Sequence, residues 1–266
     1  SGKYIIPEEY RTEVSYGSCI KSMVSTLYSE CVVSTDHITD FINSISGDVL
    51  SISTGTVYNI CKYFSKLCEK QLNSIKDKLL NADVVCTDAT YMSMDGKQTY
   101  IRNFSTPSAV LYTYQESKKT ETLKKLPVLP DYTGILIHDH ETALYHFGRG
   151  HGECNVHLLR YLKKNTQESR NKWSEWLSGF LSCLNRFRNK CISQGEKAFS
   201  CGQLLRYSER YKEIIEYGWF QNKHTKNRIA KKEEAKLLRR LDKYIENHLL
   251  FLKDFRVYFD DNMSER

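Results

Sequence analysis

Two short apolar runs in this chain each end in an aspartate: Val84-Val85-Cys86-Thr87-Asp88 and Gly134-Ile135-Leu136-Ile137-His138-Asp139. Short continuous apolar runs bounded by polar residues read as buried strands. Each of these would deliver a carboxylate at its carboxyl end. Side by side in one sheet, two such strands place two hard oxygen donors together, an arrangement that holds magnesium for phosphoryl-transfer chemistry.

The pattern around them defines the sheet. Gln98 to Phe104 alternates like a half-buried strand, after an Asp95-Gly96 turn signal. Ala109 to Tyr114 forms a third strand after Pro107, and Lys118 to Leu126 a short helix stopped by Pro127. Gly134 to Asp139 is the fourth strand, Glu141 to Phe147 a second short helix, and Glu153 to His157 a fifth strand leading into a helix at Leu158. Three strands joined by short links suit an antiparallel meander, and strands separated by helices suit parallel crossovers. The sum is an α/β fold with a mixed five-stranded sheet and flanking helices. Asp88 and Asp139, 51 residues apart, meet only if the meander lies on one side of the first strand and the crossover returns beside it.

Helices flank this core. Residues 15 to 81 read as helical, with Ser34-Thr35-Asp36 and Ser53-Thr54 as cap signals and one apolar stripe from Val57 to Leu79. Helix, break at Ser46-Gly47-Asp48 and second helix are compatible with a helix-turn-helix, or with a purely structural hairpin. Residues 158 to 220 carry large aromatics at helical spacing, read as core, and Gln221 to Lys232 reads as an exposed basic loop before a helix over Glu233 to Phe251. The organisation expected is a helical region over 1–82, a catalytic core over 83–157, a basic helical insertion over 158–250, and a closing segment over 251–266.

Charge points to the partner. Residues 160 to 240 hold 20 Lys and Arg against 8 Asp and Glu, a net +12, which leaves −5 for the rest of a chain of net +7. Such concentration is the footprint of a polyanion partner, here nucleic acid. Arg160, Lys163, Lys164, Lys223, Lys226, Arg228, Lys231 and Lys232 are the candidate DNA contacts. No apolar run is long enough for a transmembrane helix, so no membrane association is expected. Nine scattered cysteines without a C-x-x-C pair suit reduced thiols and a cytoplasmic location. The first residue is not Met, so a fragment or processed chain is expected. Zinc is the rival metal, because His138, His140, His146, His151, His157 and Cys154 cluster in sequence, but only Cys154-x-x-His157 has a recognisable spacing. A serine or cysteine nucleophile lacks a supporting motif.

Several segments together resemble the transposases of the insertion-sequence 66 family, which belong to the DDE class. They are Val84 to Thr90, Leu129 to Asp139, Cys154-Asn155-Val156-His157-Leu158-Leu159-Arg160, and Phe251 to Arg266 with its Asp260-Asp261-Asn262-Met263-Ser264-Glu265-Arg266 ending. Two positions depart from the family pattern: Ala89 where Glu is usual, and Asp261 at an Asn position. The resemblance implies a ribonuclease-H-like fold and a catalytic triad of Asp88, Asp139 and Glu265 holding Mg²⁺ or Mn²⁺. It implies cleavage and strand transfer of transposon DNA, with element ends and target DNA as partners. A homo-oligomer on DNA and accessory proteins of the same element are further expected partners. A chain ending one residue after Glu265 is expected to be poorly active. A degenerate transposase that binds without cutting, or a ribonuclease-H-like nuclease, are the alternatives.

Overall fold

In the computed structural model, which describes residues 15–261, the chain divides into two units, Ser1–Asn73 and Ser74–Arg266. The first packs helices α1 (Ser18–Ser29), α2 (Thr35–Ile45) and α3 (Thr54–Leu67) around Val24, Ile38, Ile42, Val57 and Ile60. Both cap signals operate: Ser34 accepts the His37 amide and Ser53 the Thr56 amide. Asn43 clasps Ile52 through its amide and its carbonyl, which fixes the loop between α2 and α3. The apolar stripe expected to run unbroken to Leu79 is divided at Cys68, where α3 ends and α4 (Glu69–Leu80) begins.

The second unit is built on β1 (Val84–Met94), β2 (Lys97–Thr106), β3 (Ala109–Gln115), β4 (Ile135–His138) and β5 (Gly150–Glu153). They lie in the order β3-β2-β1-β4-β5. The β1–β2 and β2–β3 pairs are antiparallel, and β1–β4 and β4–β5 are parallel. This is the mixed sheet with the meander on one side of β1 and the crossover returning on the other. Asp95 and Gly96 both adopt positive φ, +52° and +72°, as the tight turn between β1 and β2 requires.

Side chains alternate across the sheet, so one run of sequence feeds two cores. Val85 and Leu136 join Leu79, Phe104, Leu111, Leu123 and Leu144 on one face. Val84, Cys86 and Ile137 face the other, where helices α6 (Asn155–Ser169), α7 (Trp173–Ser193), α8 (Cys201–His224) and α9 (Arg228–Lys243) bring Leu158, Leu162, Trp173, Leu177 and Leu238. Wholly buried Glu234 knits these helices together by accepting from the Trp173 indole, Asn165, Asn171, Asn222 and Thr225.

Several boundaries differ from those the sequence suggests. The fifth strand is Gly150–Glu153 rather than 153–157, and α6 already starts at Asn155. At Gly150 and Gly152 a Cβ would lie a tight 3.3 Å from the Ile135 and Ile137 side chains, and glycine carries no strand signal. The helix expected over 118–126 shrinks to α5 (Thr120–Leu123), and that over 141–147 is a 3-10 turn, Thr142–His146. Arg102 to Phe104, the end of the run expected half-buried, is covered on both faces, and the strand continues buried through Ser105 and Thr106. Residues 221–232 are not a loop: α8 and α9 leave only 225–227 between them, with Asn227 capping α9 by accepting from Ile229 and Ala230. Lys, Arg and Glu are good helix formers even where no apolar periodicity marks them. Among the described residues no helix is long and apolar enough to cross a membrane.

Candidate catalytic site

The parallel pairing of β1 with β4 aligns Val84 with Ile135, Val85 with Leu136 and Cys86 with Ile137. Each aligned pair differs by 51 in residue number, the interval between Asp88 and Asp139. Neighbouring strands run about 4.8 Å apart. Continued two residues past Cys86 and Ile137, that register sets Asp88 and Asp139 at one level. Asp139 directly follows β4, whereas Asp88 lies inside β1, which runs on to Met94 in its pairing with β2 instead of ending at the aspartate as the apolar run suggests. Both are half-buried.

Asp88 is held locally. Its amide donates to Asn103 Oδ1 at 3.0 Å, and its Oδ1 accepts the Ala89 amide at 2.7 Å. Asp139 is held from the helical side. Tyr161 on α6 donates to Oδ2 at 2.9 Å. Arg240 on α9 stands 3.5 Å from Oδ1, a buried oxygen without a hydrogen-bond partner. The same guanidinium donates to Glu153 Oε2 at 2.5 Å and lies over the Tyr161 ring. Glu153, at the end of β5, also accepts from Tyr145 and pairs with His140 Nδ1. Burial alone would raise the Glu153 carboxyl. The His140 hydrogen bond, the nearby His248 and Arg240 and the Tyr145 hydroxyl outweigh it and hold that carboxyl well below the usual range.

The loop after Asp139 is pinned from the other face. His140 takes a left-handed φ of +43°, a conformation that costs a non-glycine residue energy unless its surroundings impose it. Glu141 supplies that constraint: both its oxygens accept from Arg102 Nη2 at 2.6 Å. Arg102 is fully buried on β2 and also donates to Gln115 and to Thr87, the neighbour of Asp88. One guanidinium thus touches the strand beside Asp88 and the loop beside Asp139.

The chain returns to this edge after α9. Phe251, Leu252, Phe255, Val257 and Phe259 bury their side chains, and Arg188 on α7 donates to the carbonyls of Phe251, Phe255 and Val257 at 3.1, 2.6 and 2.7 Å. Phe259 O accepts the first amide of α6, from Asn155. Asp260 O lies 4.0 Å from Cys86 Sγ, two residues before Asp88. This strap ends the described chain at Asp261. Glu265, and the helix start expected around it, lie outside the described residues.

Of the candidate DNA contacts, Arg160, Lys163 and Lys164 stand exposed on α6, and Lys223, Lys226, Arg228 and Lys232 are exposed around the α8–α9 turn. Lys231 donates to the Lys223 carbonyl at the end of α8. The histidines scatter in role. His138 is buried between Tyr145 and His151, and burial holds it neutral down to about pH 3. His140 serves Glu153. His157 alone sits beside both an aspartate and Cys154. Arg240, Tyr161, Arg102 and Arg188 gave no sequence signal, since each acts across more than ten residues of intervening chain. Only the oddity of an arginine inside the apolar alternation of β2 could have singled out Arg102.

A mixed five-stranded sheet of this order, with helices on both faces, is compatible with the ribonuclease-H-like class. The Transposase IS66 family matches residues 38–266, and the chain belongs to that family. No match is found among curated proteins.

Proposed function

We propose that this chain is the catalytic part of a DDE-type transposase that cleaves and joins DNA ends with divalent metal. The observation that supports this best is the β1–β4 register, whose offset equals the spacing of Asp88 and Asp139. Asp88, Asp139 and Glu265 would hold Mg²⁺ or Mn²⁺. The donor set fits, because carboxylate oxygens are the ligands such hard ions prefer, and Asp139 Oδ1 is a buried oxygen lacking a hydrogen bond. When bound, the ions would supply Lewis-acid stabilisation of the attacking and leaving oxygens at phosphorus. Tyr161 and Arg240 orient the Asp139 carboxylate, and Arg102 with Glu141 fixes the loop that carries it. In this reading residues 1–82 form a helical region compatible with a helix-turn-helix, 83–157 the catalytic core, 158–250 a basic insertion that binds DNA, and 251–266 the segment bearing the third acid. Partners would be element ends and target DNA, a second copy of the protein, and accessory proteins of the element, in the cytoplasm.

The test is strand transfer by the full-length protein on its own element's ends in Mg²⁺. Joining should occur and should fall to background in Asp88→Asn, Asp139→Asn and Glu265→Gln. Cleavage without joining would make the protein a nuclease, and DNA binding without cleavage would leave it a binding protein. Activity that survives Asp139→Asn would remove the metal reading.

A further inference from the structure

The described residues contain a second place where metal ligands converge. Cys154, His157 and Asp261 bring one ligand atom each within 4.8 Å of one another. Cys154 is the N-cap of α6 and His157 the third residue of its first turn, positions whose side chains meet on one side of a helix start. Asp261 arrives from the end of the strap, more than 100 residues further on. Cys154 Sγ lies 2.8 Å from Asp261 Oδ1, His157 Nδ1 lies 3.2 Å from Sγ, and the same nitrogen lies 3.6 Å from Oδ1.

We propose that Cys154, His157 and Asp261 form a zinc site that fastens the end of the strap to the start of α6. The donors are sulfur, imidazole nitrogen and carboxylate, a set that suits zinc and not magnesium. Zinc–sulfur bonds of about 2.3 Å and zinc–nitrogen or –oxygen bonds of about 2.0–2.2 Å require ligand separations of roughly 3.3–3.7 Å in a tetrahedron. The Sγ–Nδ1 and Nδ1–Oδ1 separations need change by only a few tenths of an ångström, and the Sγ–Oδ1 separation of 2.8 Å must open by about 0.7 Å. Thiolate and carboxylate together neutralise the ion, which matters where Cys154 and Asp261 are both wholly shielded from solvent.

A second observation points the same way. Asp261 Oδ2 is buried and has no hydrogen-bond partner. The thiol-to-carboxylate hydrogen bond accounts for Oδ1 alone and leaves this oxygen, on a fully buried carboxylate, unexplained. Without metal, burial and the Asp261 charge keep Cys154 a protonated thiol. Binding therefore displaces the Cys154 proton to solvent, together with the His157 proton where that imidazole is charged, and forms Zn–S, Zn–N and Zn–O bonds with no change in oxidation state. With zinc on Nδ1, Nε2 must carry the ring hydrogen. Arg160, which faces Nε2 at 3.3 Å and is exposed, then turns toward solvent. Three protein ligands leave a fourth position for water.

The experiment uses the whole chain, purified in zinc and passed through a mild chelator, with metal content measured and Co²⁺ substituted for Zn²⁺. One equivalent of zinc should remain, and the cobalt form should show an intense tetrahedral spectrum with a thiolate-to-cobalt charge-transfer band. Asp261→Asn, which keeps shape and leaves every cysteine in place, should weaken zinc binding at least tenfold. Cys154→Ser should abolish the charge-transfer band. The exposed thiols of Cys19, Cys31, Cys183 and Cys201 provide the control for adventitious metal, since they are unchanged in Asp261→Asn. Zinc content unaltered by Asp261→Asn, or a wild-type cobalt spectrum without the thiolate band, overturns the proposal. The wild-type spectrum decides the matter even if Cys154→Ser fails to fold.

Discussion

Replacing Arg102 with methionine tests how the loop bearing Asp139 is held. The guanidinium has no solvent exposure and makes hydrogen bonds to both Glu141 oxygens, Gln115 Oε1 and Thr87 Oγ1. Removing it leaves the Glu141 carboxylate, 13% exposed, with only the more exposed Lys118 ammonium at 3.6 Å. Breaking one partner from such a buried pair costs about 3–5 kcal/mol. In a unit of this size that lowers the melting temperature by roughly 6–20 °C. The double variant Arg102→Met/Glu141→Leu removes the stranded charge as well and should recover about 2 kcal/mol of the loss. The assay is urea denaturation followed by tryptophan fluorescence. Trp173, Trp176 and Trp219 are the chain's three tryptophans and all belong to the second unit, so the signal reports on that unit. An Arg102→Met protein within about 1 kcal/mol of wild type, or a double variant as unstable as the single one, would refute the reasoning.

Three further outcomes are expected. Arg188→Lys should destabilise the second unit nearly as much as Arg188→Met, by about 2–4 kcal/mol, because one ammonium cannot serve three separated carbonyls; full rescue by lysine in thermal melts would contradict this. Stability should fall as pH drops below about 6.5, because an unfolded histidine takes up a proton there, whereas burial holds His138 and His248 neutral in the folded chain to about 3. The slope is at most about 1.4 kcal/mol per pH unit for each histidine, and a flat denaturation profile between pH 7 and 5 would count against it. DNA binding should weaken steeply with salt, and Lys163→Gln with Lys164→Gln should reduce the log–log slope by up to about 2; titrations at several salt concentrations that give an unchanged slope would clear that face.

Much of the sheet was legible because its strands are apolar and β-branched, and the order followed from link lengths between Val84 and Asp139. What escaped were features without a hydropathy signature. Gly150 and Gly152 make a strand by allowing close approach to Ile135 and Ile137, and a pattern of side chains cannot reveal that. The basic stretch before Glu234 folds as helix because Asn227 caps it and that glutamate is anchored by five donors. At the site, the two aspartates could be read from the ends of apolar runs, although only Asp139 follows a strand end and β1 continues past Asp88 to Met94. Tyr161 and Arg240 could not, since an exposed-looking tyrosine and arginine on helices become Asp139 partners only after the helices pack.

The β1–β4 register also sets rules for how this sequence can drift. Val84 and Ile135 each stand four residues ahead of an aspartate, and they are paired. Adding residues to the turn at Asp95-Gly96, or to the crossover between β3 and β4, leaves that pairing intact and the two carboxylates level. Adding a single residue between Val84 and Asp88 would lift one carboxylate by about 3.3 Å and turn it to the opposite face of the sheet. Length variation among relatives should therefore crowd into the connections and spare these two five-residue segments. The distance between the aspartates along the chain can change freely, while their distance from the paired residues behind them cannot.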